Sequence, residues 1–138
     1  MPRLHDRNVI RRRLEHDRIW AAYALGDLAP GFFPYTEWYA PGGFPDTLAL
    51  LYRGADTPVL LTCGSPEGLA EVIHELPPEP RLLLSVRPEA LLLVRQRWEV
   101  TSSNAMWRMG LPPGTEVPSP RIETRRLDGS ALPALLEL

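Results

Sequence analysis

The sequence predicts an α+β domain built on a mixed, largely antiparallel sheet with helices on both faces. Three observations carry this. Two amphipathic helical stretches precede a run of three strand-like segments, two further strand–helix alternations follow, and the prolines and glycines cluster at the boundaries of these segments. The resulting order is α-α-β-β-β-α-β-α-β, then a connector, then a β-α pair.

Asp6 is placed to cap a first helix running to about Glu15, with Val9, Ile10 and Leu14 as its apolar stripe. Asp17 caps a second, in which Ile19, Ala22 and Tyr23 share a face and Gly26 ends it. The stretch 27–34 is loop, Tyr35 to Ala40 a strand, and Pro41-Gly42-Gly43 a turn. Thr47 to Arg53 is a second strand, and Gly54 to Thr57 connects it to a third, Pro58 to Cys63. That third strand is apolar on both faces and therefore central. Ser65 as N-cap, Pro66 at the first helical position and Glu67 in the first turn switch strand into a helix that ends at Pro77-Pro78. A Leu-rich, buried fourth strand is expected over Arg81–Val86, and a helix carrying Leu91, Leu92 and Val94 from Arg87-Pro88-Glu89 to about Arg97. A last strand is expected over Ala105–Leu111. Leu111 to Pro120 holds four prolines and one glycine and reads as a connector. Arg121–Leu127 then reads as a strand, with Asp128-Gly129-Ser130 capping an apolar helix over 131–138.

Composition narrows the function classes. A 138-residue chain with 44% hydrophobic residues can bury a core, and a net charge of -2 gives no general pull toward nucleic acid or membrane. All fifteen basic residues are arginine, which excludes Schiff-base and P-loop lysine chemistry. Apolar runs such as Leu48–Tyr52 are far shorter than the roughly 20 residues a membrane helix needs. The lone cysteine has no internal partner for a disulfide, and with no signal-peptide pattern at the start a cytoplasmic location is expected.

This element order resembles the GNAT family of N-acyltransferases, whose core runs strand, two helices, three strands, helix, strand, helix, two strands. Residues 6–111 follow it from the first helix to the sixth strand, with the opening strand missing or degenerate. The segments Trp20–Leu28, Val86–Glu89 and Met106–Met109 are similar to the N-terminal half of bacterial two-part GNAT proteins, and Arg121–Leu138 is similar to the start of a GNAT domain. The division implied is a GNAT-like domain over 1–111, a linker over 112–120, and a second GNAT-like unit beginning at 121 and cut short within its first helix. The resemblance implies acyl transfer from acyl-CoA to an amine for the whole protein, with this half non-catalytic and shaping the acceptor cleft. The partner implied is a catalytic GNAT domain or a second copy of the chain, with acetyl-CoA the cofactor of the complete enzyme. A free-standing pseudo-GNAT module that binds a ligand or a protein is the alternative.

The acyl-CoA loop of the family presents successive backbone N–H groups to pyrophosphate at a helix N-terminus. The corresponding stretch here is Cys63-Gly64-Ser65-Pro66-Glu67-Gly68. No Arg or Gln leads it, Pro66 lacks an N–H, and Glu67 places negative charge where a pyrophosphate would sit. Gly64, Ser65 and Gly68 therefore form a degenerate loop, and no cofactor is expected to bind this chain.

Other chemistry is weakly signalled. Cys63 lies beside a helix N-terminus, a position that favours a thiolate, but no histidine is near it in sequence. His5, His16 and His74 lack metal-ligand spacing, and Glu71 and Glu75 read as a solvated helix face. The N-terminal arginines 3, 7, 11, 12, 13 and 18 are interrupted by acids and have no interleaved aromatic platform. No catalytic residue is assigned. Trp107 beside Arg108 is the interface candidate, since Trp and Arg are enriched at binding hot spots. An interfacial Trp107 is expected to be solvent-exposed in the chain by itself.

Overall fold

The computed structural model describes residues 3–137. Five strands form one sheet in the order β1-β2-β3-β4-β5: β1 (Arg3–Leu4), β2 (Thr36–Tyr39), β3 (Leu48–Tyr52), β4 (Val59–Cys63) and β5 (Leu83–Ser85). Neighbours from β1 to β4 are antiparallel, and only β4 and β5 run parallel, in the register Val59↔Leu83 to Leu61↔Ser85. The parallel pair needs a crossover, and α3 (Pro66–Glu75) supplies it. The expected α+β class with a mixed, mostly antiparallel sheet is the observed one.

The period-2 alternation of the strands divides the core into two layers. Trp38, Leu48, Leu50, Leu61 and Cys63 pack against Ile10 and Leu14 of α1 (Arg7–Leu14) and Ala24 of α2 (Ala22–Gly26). Tyr39, Ala49, Leu51 and Leu60 face the other way, onto Leu69, Val72 and Ile73 of α3 and Ala90 and Val94 of α4 (Pro88–Arg95). Both faces of β3 and β4 are covered, which is why these strands are nearly continuous apolar runs. Full burial of each Leu or Val is worth about 1.5–3 kcal/mol, so these central strands carry much of the stability.

Local capping follows the residues expected to do it. The Asp6 carboxylate accepts from Asn8 N at 2.8 Å and Val9 N at 3.2 Å, satisfying two orphan donors of α1. Ser65 caps α3 through Gly68 N at 3.4 Å, with Pro66 at the first helical position. At the other end of α3, Arg97 donates to the carbonyls of Ile73 at 2.5 Å, His74 at 2.7 Å and Leu76. One guanidinium thus closes the helix C-terminus that Pro77-Pro78 leaves open, and favours the negative end of its dipole.

Several expectations are corrected. The opening strand is present as β1, too short to leave a pattern, with Arg3 opposite Tyr39 and Leu4 opposite Trp38. The second helix starts only at Ala22, after a 3-10 turn over Glu15–Asp17, and this interruption changes its phase. Ala21, Ala24 and Leu28 are buried, whereas Ile19 and Tyr23 face outward. Small alanines let the helix approach the sheet where the larger pair does not fit. β5 is not a buried strand: it lies at the edge of the sheet, and Leu83 is largely exposed. In α4, Leu92 is likewise exposed, and Ala90 and Val94 make the buried stripe.

The strands expected over Ala105–Leu111 and Arg121–Leu127 do not form, since neither segment pairs with the sheet and a strand without a partner has no ladder to complete. A helix does follow Asp128, as a 3-10 turn over Gly129–Ala131 leading into α5 (Leu132–Leu136), with the Asp128 carboxylate accepting from Ser130 N at 2.9 Å. The last residue of that expected helix, Leu138, lies outside the described residues.

Candidate functional site at the parting of strands 4 and 5

The ladder between β4 and β5 ends at Leu61 and Ser85. Leu83 N donates to Pro58 O at 2.9 Å, so by strand alternation the carbonyls of Pro58, Leu60 and Thr62 all face β5. The chain leaves the sheet after Ser85 to start α4, and the Thr62 carbonyl has no strand partner there. Trp20 takes its place: the indole Nε1 donates to Thr62 O at 2.7 Å. A side chain from the segment between α1 and α2 thus takes the hydrogen-bonding position that a longer β5 would occupy.

Trp20 is held there by two arginines. The Arg87 guanidinium lies 4.9 Å from the ring centroid and that of Arg108 lies 4.3 Å from it, the latter also 4.8 Å from the Tyr23 ring. Such cation–π contacts are worth about 0.5–1 kcal/mol each at partly exposed positions. Arg87 is the N-cap residue of α4 and forms an ion pair with Asp17, which itself accepts from Trp20 N at 3.2 Å. Both charged side chains are nearly half exposed, so their pairing orients Arg87 more than it stabilises the fold.

Two cavities flank this end of β4, both bordered by Gly64 and Arg87. One, of about 250 Å³, opens between the starts of α3 and α4 and includes Thr62, Leu69 and Glu89 in its wall. The other, of about 310 Å³, lies on the α1 side and is bordered by His16, Asp17, Trp20 and Cys63. Thr62 Oγ1 is buried with no hydrogen-bond partner among the described residues. Burial pushes the Cys63 thiol up to about 12, and Asp17 adds to the effect despite opposing arginines at 87 and 108. The sulfur is therefore a protonated, buried thiol at neutral pH, not the thiolate that its place near a helix N-terminus suggests. No group of three or more His, Cys, Asp or Glu side chains that could hold a metal occurs among the described residues.

The loop residues Gly64, Ser65 and Gly68 have structural duties. Gly64 has φ +110, and a Cβ on it would stand 2.5 Å from Thr47 Cα. A Cβ on Gly68 would stand 2.4 Å from Thr47 Oγ1 and 2.9 Å from Phe44 Cγ. Both glycines are accounted for by close packing of Thr47, which is wholly buried. Ser65 is engaged as a cap, its Oγ taking Gly68 N and its carbonyl taking Leu69 N at 2.9 Å. Few N–H groups are left at this helix start for an anion.

Gly64 and Ser65 thus border a cavity with Arg87, Gly68 packs against Thr47 and Phe44, and Trp107 and Arg108 belong to the segment that follows α4. Trp107 is 93% exposed, with Met106 and Met109 similarly open. Arg108 instead turns inward onto Trp20. The residues that sequence reasoning missed are Trp20 as a gap filler, Arg87 and Thr62. The ring–guanidinium partners are 67 and 88 positions apart, and nothing local in sequence links them.

No family model matches the chain, and no curated protein or solved structure matches it. No helix among the described residues is long and apolar enough to cross a membrane.

Proposed function

We propose that this chain is the N-terminal, non-catalytic half of a GNAT-type N-acyltransferase, which transfers an acyl group from acyl-CoA to an amine. It packs against the catalytic half and shapes the acceptor cleft. The element order β1-α1-α2-β2-β3-β4-α3-β5-α4, with its single parallel pair, favours a GNAT-like fold. The observation that carries the non-catalytic part is the Trp20 indole bonded to the Thr62 carbonyl, which fills the opening between β4 and β5. The capped helix start at Ser65, with Pro66 and Glu67, opposes an anionic cofactor at the same place. The exposed Met106, Trp107 and Met109 supply apolar surface for a catalytic partner domain. The complete enzyme uses acetyl-CoA in the cytoplasm on this reading, and neither nucleic acid nor membrane is a partner.

Titration calorimetry with acetyl-CoA tests the proposal. No binding is expected at micromolar concentration, and no coenzyme A is released when amines are added. Micromolar binding, or turnover by this chain alone, would falsify the non-catalytic reading.

The two cavities beside Arg87 favour a second reading, a pseudo-GNAT module that binds a small ligand. A small carboxylic or phosphoric acid that raises the melting temperature of the isolated chain, and loses that effect in Arg87→Gln, would select it over the first.

A further inference from the structure

Residues 101–107 contain no helix or strand, and Arg108 is where this stretch is tied back to the body. One guanidinium nitrogen donates to the Trp20 carbonyl and the other to Ser85 Oγ at 3.0 Å. Its plane also covers the Trp20 and Tyr23 rings. Ser85 is the last paired residue of β5, and Trp20 is the residue whose indole takes the Thr62 carbonyl. Arg108 therefore touches both the lip of the gap and the side chain that fills it. Two residues on, Gly110 lies against Ile19, where a Cβ would stand 3.0 Å from Cγ1. The residues around these two anchors face outward: Met106, Trp107 and Met109 are each about nine-tenths exposed.

We infer that Arg108 is a clamp that straps residues 101–111 over the parting of β4 and β5 and holds Trp20 in it. Drawing the strap away removes the Arg108 bonds to Trp20 and Ser85 together, so the position of the C-terminal segment and the closure of the gap are linked. The geometry suits the link, because a planar fork spans two acceptors that a lysine reaches only one at a time. The clamp deepens the half-enzyme reading in one respect: a partner domain that takes hold of Trp107 pulls on the adjacent Arg108. Its own test needs no partner.

Trypsin reports on the clamp directly, because the guanidinium must leave Trp20 and Ser85 before cleavage after Arg108. Cleavage there is expected to be ~10-fold or more slower than after the exposed Arg121, a difference in local opening. Ser85→Ala keeps the cleavage site and removes one acceptor, and should raise cleavage after residue 108 several-fold. Arg108→Lys keeps both charge and cleavability, loses the fork and should raise it further. In both variants, amide hydrogen exchange over residues 60–63 and 83–87 is expected to quicken, with the thermal midpoint nearly unchanged. Native cleavage after Arg108 as fast as after Arg121 overturns the clamp, as does faster cleavage in the variants with no change in exchange at the gap. Acetyl-CoA binding, which sinks the half-enzyme reading, leaves the trypsin pattern as it is, so the two failures are separable.

Discussion

The indole Nε1 of Trp20 donates to the carbonyl of Thr62 at 2.7 Å, at the point where β4 and β5 have ceased to pair. A side chain 42 positions earlier thereby completes a strand rung that the backbone leaves open. Trp20→Phe keeps a smaller ring for Arg87 and Arg108 and removes the donor. The buried Thr62 carbonyl then loses its partner, which costs about 1–3 kcal/mol. Urea unfolding should show a lower midpoint with an unchanged m-value, and an unaltered midpoint would mean that water replaces the indole without loss.

Gly64 joins β4 to α3 at φ +110, directly over Thr47. Gly64→Ala strains the backbone by about 1–3 kcal/mol and also drives a methyl into the Thr47 backbone. A loss of more than ~2 kcal/mol is expected from chemical denaturation. Substitution by Ala at Gly43, also at positive φ but with open space around it, should cost less, since only the backbone term remains.

Cys63 is buried and its thiol is pushed up to about 12, so it stays protonated at neutral pH. Ellman's reagent should leave the native protein unmodified at pH 8 over many minutes, and modify one thiol on addition of denaturant. Rapid native modification would show that the cavity beside His16 and Asp17 reaches the sulfur and that the thiolate is populated.

Glu37 links the outer strands, meeting Arg3 at 2.8 Å and Arg53 at 3.0 Å and accepting from Tyr39 Oη at 2.7 Å. Burial pushes its carboxyl up, but hydrogen bonds from Arg53 and Tyr39 and the nearby charges of Arg53 and Arg3 outweigh this and leave it below the ordinary range. A depressed folded-state value means stability that is present above pH 4.5 and lost as pH falls through the folded value. Glu37→Gln should therefore be less stable than wild type at pH 7 by about 1 kcal/mol, given partly screened partners. The difference should shrink as the pH falls below 4.5 and through the lower folded value. Comparison with this variant isolates the effect from Asp27, whose carboxyl is raised by burial and acts in the opposite sense. A difference independent of pH would assign the contribution to shape rather than charge.

Most of the regular structure was legible in the sequence, and so were the breakers between segments. Asp6, Ser65 and Pro66 announce their helices because capping is a local matter of one side chain and the next three N–H groups. The apolar runs of β3 and β4 announce a doubly covered centre for an equally local reason. β5 and the two C-terminal segments were misread because burial and pairing depend on what lies alongside. An apolar run at a sheet edge has the same composition as one at its centre. The phase of α2 was lost because a 3-10 turn absorbed several residues before the helix began.

The sequence by itself determined the α+β class, most of the succession of helices and strands, the central place of β4 and the capped start of α3 at Ser65. Each rests on neighbours within a few residues. Only the tertiary structure decided that the Trp20 indole bonds the Thr62 carbonyl where β4 and β5 part, that Arg87 and Arg108 both lie against its ring, and that Trp107 is exposed. Those contacts bring residues 20, 62, 85, 87 and 108 together, and the folding of the sheet sets their distances.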